Sequence, residues 1–224
     1  MNLLAIDTST ELASVALAVG DEIHSEEQGH LRQHAQFLLP MIDRLLAIAQ
    51  LRLNQLDGIV FGRGPGSFTG LRITCSVAKA LAYAHDLPLF PVSSLLAIAT
   101  AVYQAETTLA PETRVLAMLD ARMHQVYWGC FARDSVESSE QVSSATDIIL
   151  PLDTPLILAG VGFESYIAQL PQSIQAQTMK QHVVFPHARA MIQVVQSGQI
   201  QTVSAQEALP VYVRNQVVQG GSCG

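Results

Sequence analysis

Charge is scarce in this sequence. Only 14% of its 224 residues are Asp, Glu, Lys or Arg, against about a quarter in an ordinary soluble domain, while 49% are hydrophobic. So little charge does not cover a whole surface, and the balance favours apolar surface that another chain covers over a monomer with an unusually polar, uncharged surface. Lysine is nearly absent: Lys79 and Lys180 are the two, the ten arginines are dispersed, and the formal net charge is −7. A protein that neutralises a run of phosphates needs a concentrated basic patch, so any nucleic-acid contact is expected through a partner. Cys75, Cys130 and Cys223 are far apart, odd in number and without CxxC spacing. That excludes a disulfide framework and reads as reduced, cytosolic thiols. No apolar run approaches the ~20 residues of a membrane span, and residues 1–7 carry no basic leader. A soluble, cytoplasmic chain without membrane contact is expected. No period repeats along the chain, which removes solenoids and propellers.

What is present alternates. Residues 3–6 form a short apolar run closed by the turn-prone Asp7-Thr8-Ser9-Thr10, residues 14–19 resume it, and residues 22–27 read as a more polar third strand. Over residues 31–50, His34, Leu38, Met41, Leu45 and Ile48 recur at helical spacing, with Pro40 expected to kink or split the helix. A buried-type strand over 57–62, a helix over 71–85, a strand over 88–92 and a helix over 93–104 follow. That order is the signature of an α/β domain with a partly parallel sheet. Residues 105–111 are the best linker. Beyond them, 114–119, 125–131 and 156–159 read as strands, and 163–170 and 188–196 as helices. The division is therefore 1–105 and 106–224, with the C-terminal segment of the second part a candidate to pack back on the first. Within the 71–85 helix and its start, Gly70, Thr74, Ala78 and Ala82 fall four residues apart. Such a stripe of small side chains lets another helix approach closely, and together with His34, Leu38, Met41 and Leu45 it is the expected partner interface.

The most distinctive segment is residues 62–70, GRGPGSFTG, between a strand and a helix. Its amides suit a phosphate, and Asp7, Thr8, Ser9, Gly64, Gly66, Ser67 and Arg122 are the candidate nucleotide vicinity. Equally, the glycines serve a tight turn and Ser67 caps the helix. It is no Walker A loop, because no lysine follows the second glycine. His30 and His34 have HxxxH spacing without a zincin glutamate, and they read as a residue before the helix and one in its half-buried seam rather than as metal ligands. Ser67, Ser93 and Ser94 stand in no GxSxG, and Cys75 reads as packing.

Taken together, Ala5-Ile6-Asp7-Thr8-Ser9-Thr10, GRGPGSFTGLRI at 62–73, Asp120-Ala121-Arg122-Met123 with Val126-Tyr127-Trp128, and Val211-Tyr212-Val213-Arg214-Asn215 resemble the TsaB (YeaZ) family in order and across almost the whole chain. His124 and Thr74 depart from it, standing where many members carry glycine. The resemblance implies an actin-like (ASKHA, ribonuclease H-like) fold with an intact first subdomain and a shortened second one. It implies a non-catalytic role beside the paralogue TsaD, which transfers a threonylcarbamoyl group to adenosine next to the anticodon of tRNA, with the ATPase TsaE as a third component. A homodimer is implied when the chain is alone, and tRNA contact only through the partner. TsaD holds a metal by an HxxxH pair after the strand equivalent to residues 89–92. Here Ser94 and Ile98 occupy those positions, so ATP and metal are expected to belong to the partner proteins, with no cofactor and no metal site in this chain. The competing expectation is an independent nucleotide-dependent enzyme or a glycoprotease-like hydrolase of the same superfamily.

Overall fold

The computed structural model describes residues 1–29, 34–137, 139–150 and 153–214, and of residues 34 and 35 the backbone alone. His30, Asn215 and Cys223, and the side chain of His34, lie outside the described residues.

Strand β1 (Leu3–Asp7) is buried at every position. A strand covered on both faces needs no polar alternation, which is why it reads as a continuous apolar run. Around it, β2 (Leu12–Val19), β3 (Glu22–Gly29), β4 (Gly58–Gly64) and β5 (Leu89–Ser93) complete a sheet in the order β3-β2-β1-β4-β5. The first three strands are antiparallel, and β4 and β5 run parallel to β1. Helix α1 (His34–Ile48) leads into β4, α2 (Phe68–His85) into β5, and α3 (Ser94–Ala105) follows it. Pro40 does not split α1, because it sits on the exposed face where water reaches the carbonyl that its missing N–H leaves free.

The second sheet repeats the first. β6 (Arg114–Arg122), β7 (Gln125–Phe131), β8 (Gln141–Ser143), β9 (Leu156–Val161) and β10 (Thr178–Val183) take the order β10-β9-β6-β7-β8, with β6 central, β7 and β8 antiparallel, and β9 and β10 parallel. The shortening lies in the helices. A single 3-10 turn at Ala145–Asp147 stands where α1 would be, and α4 (Gln172–Gln177) has 6 residues where α2 has 18. Residues 163–170, expected as a helix, form 3-10 turns over Glu164–Gln169, while β8, α4 and β10 carry no clear period and went unpredicted.

The lobes exchange helices. α3 packs on β6, β7 and β9 of the second sheet, whereas α5 (Ala188–Gln196) returns to β1, β2 and β4 of the first, and the two helices pack on each other. One core, from Leu3 and Val60 through Leu95 and Met191 to Val115 and Ile157, therefore runs between the sheets. The opposite face of the first sheet is covered by α1 and α2.

That layering corrects the expected interface. Leu38, Met41 and Leu45 of α1 and Gly70, Thr74, Ala78 and Ala82 of α2 point into the protein's own core. The small residues serve close approach of α2 to its own sheet. A β-carbon at Gly70 would stand 1.7 Å from the Thr8 carbonyl oxygen. Thr8 donates its hydroxyl to the Gly70 carbonyl and accepts that of Thr74, both at 2.7 Å. What α1 and α2 show to solvent instead is Leu39, Ile48, Phe68, Arg72, Ser76 and Tyr83.

Candidate functional site between the lobes

A cleft of about 360 Å³ opens between the two lobes. One wall is Ser9, Thr10, Glu11, Gly66 and Ser67; the other is Asp120, Arg122, Tyr127 and Gly162. Of the residues expected near a nucleotide, the structure brings Ser9, Gly66, Ser67 and Arg122 together here. Asp7 and Thr8 lie behind the wall, fully buried, and Gly64 faces Leu71 and the Val211 carbonyl instead.

The two walls are built alike. β1 ends in Asp7, whose Oδ1 accepts the amide of Ser9 two residues on at 3.0 Å; β6 carries Asp120, whose Oδ1 accepts the amide of Arg122 at 2.9 Å. A glycine of the neighbouring parallel strand or its end abuts each carboxylate: Gly62 behind Asp7 and Gly162 behind Asp120. Asp120, Tyr127 and Gly162 were missed as site residues. The signal was present in Leu4-Ala5-Ile6-Asp7 and Leu116-Ala117-Met118-Leu119-Asp120, two apolar strands each closed by aspartate.

Environment then separates the two aspartates. Asp120 is reached by solvent and pairs with Arg122 at 3.3 Å. Asp7 is sealed under α5, and burial pushes its carboxyl up to about 7 against the hydrogen bonds from Ser9 and the nearby charge of His187. Its Oδ2 has no hydrogen-bond partner among the described residues. His187 in turn pairs with Glu27 at 2.7 Å and holds that carboxyl below its usual range.

The glycine-rich turn is partly engaged by its own chain. The Ser67 amide donates to the Ser9 carbonyl at 2.7 Å, the Gly70 amide to Ser67 Oγ at 3.3 Å, and the Leu71 amide to the Ser67 carbonyl at 2.8 Å. Gly64 takes φ +106°, which a side chain rarely adopts. Two of the amides at this turn, those of Ser67 and Gly70, are therefore spent on locking it to the end of β1 and on capping α2, while those of Gly66, Phe68 and Thr69 have no acceptor among the described residues. Glu11 and Asp120 add negative charge to the cleft. Ser94 and Ile98 are both fully buried in the core between the lobes.

The β6–β7 turn that forms the lip of the cleft is strained. Arg122, Met123 and His124 have φ of +62°, +54° and +58°. The left-handed region costs an ordinary residue roughly 1–2 kcal/mol, which glycine does not incur. His124→Gly is therefore expected to raise stability by about 1 kcal/mol, after the entropy glycine adds to the unfolded chain. Urea denaturation of both proteins checks this, and a destabilised variant would show that the imidazole makes a contact worth more than the strain.

Comparison with known proteins agrees with this architecture. The family described as "TsaD: tRNA N6-adenosine threonylcarbamoyltransferase" matches residues 16–198. The tRNA threonylcarbamoyladenosine biosynthesis protein TsaB of Haemophilus influenzae is 38% identical over 97% of this chain and 95% of its own length. That of Escherichia coli is 32% identical over 97% and 96%. The solved structure of YeaZ from Pseudomonas aeruginosa superposes with a TM-score of 0.85 at 38% identity, covering 94% of this chain and 99% of that one. No described helix is long and apolar enough to cross a membrane. With its two like sheets, exchanged helices and interlobe cleft, the chain has the actin-like fold and belongs to the TsaB (YeaZ) family of tRNA threonylcarbamoyladenosine biosynthesis proteins.

Proposed function

We propose that this chain is a non-catalytic scaffold and activator of the TsaD threonylcarbamoyl transferase. The observation that carries the reading is the partial closure of the glycine-rich turn: its amides at Ser67 and Gly70 bond the chain's own oxygens at 2.7 and 3.3 Å. A phosphate at this turn is short of two of the donors such a site offers. The burial of Ser94 and Ile98 supports the same conclusion, since isoleucine ligates no metal and a lone serine is a weak ligand. ATP and the metal then belong to the partners, TsaD and the ATPase TsaE, and tRNA is engaged through them. An acidic chain with two lysines is poorly suited to hold tRNA alone.

The docking surface in this reading is the outward face of α2. Phe68, Thr69, Arg72, Ile73, Ser76 and Val77 line an open groove of about 440 Å³, and Arg72 is its one charged residue. An exposed apolar face of this kind fits the low charge of the whole chain. It serves self-association when the chain is alone and the catalytic paralogue when both are present.

The purified chain, given ATP, an activated threonylcarbamoyl donor and unmodified tRNA, is expected to yield no modified adenosine by mass spectrometry. Adding TsaD and TsaE restores product, and leaving this chain out of that mixture lowers it. Modified adenosine from this chain alone overturns the scaffold reading in favour of an independent enzyme.

A further inference from the structure

The segment around Val211-Tyr212-Val213-Arg214 has no part in the cleft or in the capping of any helix, yet it touches both lobes. It begins at Ala208, a buried residue whose carbonyl accepts Lys79 Nζ of α2 at 3.1 Å. The Val211 amide then donates to the Arg63 carbonyl at the end of β4, at 2.7 Å. Tyr212 packs its ring 5.4 Å from that of Phe68, and its hydroxyl accepts Arg72 Nε at 3.2 Å, while the Arg72 guanidinium stacks 3.8 Å above Phe68. Every contact so far is with the first lobe. Two residues later the chain has crossed. Arg214 donates to Gln125 Oε1 at 2.5 Å, to the Arg122 carbonyl at 3.5 Å and to Met123 Sδ at 3.3 Å, all on the β6–β7 turn of the second lobe. Between the two attachments lies a groove of about 220 Å³ walled by Phe68 and Leu71 on one side and Met123 and Tyr127 on the other.

We propose that residues 208–214 are a latch that fastens the lobes across this groove and couples the outward face of α2 to the cleft. Three placements carry it. Phe68 and Tyr212 are 47% and 41% exposed, and Phe68 lines the α2 groove, so a chain docked in that groove meets the first-lobe end of the latch. The second-lobe end holds a turn whose three consecutive left-handed residues need an external restraint, and a guanidinium on the Arg122 carbonyl supplies one. Arg122 of that same turn lines the interlobe cleft. A partner that pins Tyr212 against Phe68 therefore stabilises the closed latch, the closed latch holds the turn, and by reciprocity anything that fixes the turn favours the partner. The identity of that partner rests on the function proposed above; the latch itself does not.

Hydrogen exchange followed by mass spectrometry separates the two. In the isolated chain, Arg214→Ala is expected to speed exchange of the amides of residues 122–125 about tenfold while β1 and β4 keep wild-type rates. Arg214→Lys, which keeps the charge and loses the fork, falls between. Added TsaD is expected to slow the same amides in the wild type and to do so far less in Arg214→Ala. Unchanged turn exchange in isolated Arg214→Ala overturns the latch. Faster exchange there, with no slowing when TsaD docks on the wild type, overturns the coupling. If TsaD does not bind the wild type at all, it is the proposed partner that fails, and the isolated-chain result still decides the latch. Should Arg214→Ala lose its cooperative unfolding, Gln125→Ala removes the same hydrogen bond from the other lobe and is read in the same way.

Discussion

Asp7→Asn is expected to cross the wild type in stability as pH rises, being less stable near pH 4 and more stable at pH 8. In the folded chain burial holds the Asp7 carboxyl at about 7, against 3.8 for a free side chain. Its proton is therefore kept on folding and lost on unfolding between those values, so the wild type loses stability from Asp7 as pH climbs from about 4 to about 7. Below the lower value the effect vanishes; above the upper one it is complete, at roughly 4 kcal/mol by linkage. Asparagine does not titrate, and its Oδ1 keeps the two bonds from Ser9, the amide at 3.0 Å and the hydroxyl at 2.8 Å. Its NH2 replaces the unpartnered Oδ2 and is itself buried without an acceptor, at a cost of about 1–3 kcal/mol. The net gain at pH 8 is then about 1–3 kcal/mol and the net loss at pH 4 about the same. Glu27, Glu106 and Glu207 have lowered carboxyls and impose the opposite slope at low pH, but they do so in both proteins and cancel in the difference. Urea midpoints across pH 4–8 give that difference directly. Parallel curves would mean that Asp7 titrates as an ordinary carboxylate and that the pocket under α5 is wetter than its burial implies.

How much of this was legible beforehand follows from what each signal encodes. β1, β4 and α2 were readable because burial on both faces demands unbroken apolar runs and a long helix demands a 3.6-residue period. The duplication was not. Two lobes can share a strand order without sharing residues, since topology asks only for apolar strands of suitable length and a shortened lobe replaces whole helices by 3-10 turns. β10 stayed hidden for a related reason: at the sheet edge its side chains are mostly exposed, so Thr178–Val183 carries no period at all. The cleft was half legible. Ser9, Gly66, Ser67 and Arg122 stood out as turn residues beside strand ends, but Asp120 and Gly162 gain meaning only from their equivalence to Asp7 and Gly62. The stripe on α2 misled for a physical reason as well. Small residues at four-residue spacing report that something approaches closely, and they are silent on whether it is a partner's helix or the chain's own β1.

Arginine placed two residues apart on α2 is expected to give opposite failures. Positions 76 and 78 differ by about 200° around a helix with 3.6 residues per turn, so they lie on nearly opposite faces. Ala78 has no exposed surface and sits among Ile59, Phe61, Leu38 and Met41, without room or a counter-charge for a guanidinium. Removing one partner from a buried ion pair costs about 3–5 kcal/mol, and a charge with no partner and no space costs at least as much, against a total stability of about 5–15. Ala78→Arg should therefore lose its cooperative thermal transition or show it strongly depressed. Ser76 is exposed and lines the groove that Arg72 and Ile73 share. An arginine there costs the free chain little, because its head group stays in water and its stem lies along apolar surface. In a complex the same charge is trapped beside Arg72, one helical turn away, in an otherwise uncharged groove. Ser76→Arg should unfold like the wild type yet lose both self-association and binding to TsaD by a hundredfold or more, which is about 2.7 kcal/mol. Thermal unfolding and light-scattering mass on the same samples read both effects. A normally folded Ala78→Arg would contradict the inward assignment of the stripe, whereas an undiminished complex with Ser76→Arg would move the docking surface off α2 altogether, to the exposed side of α1 around Leu39 and Ile48.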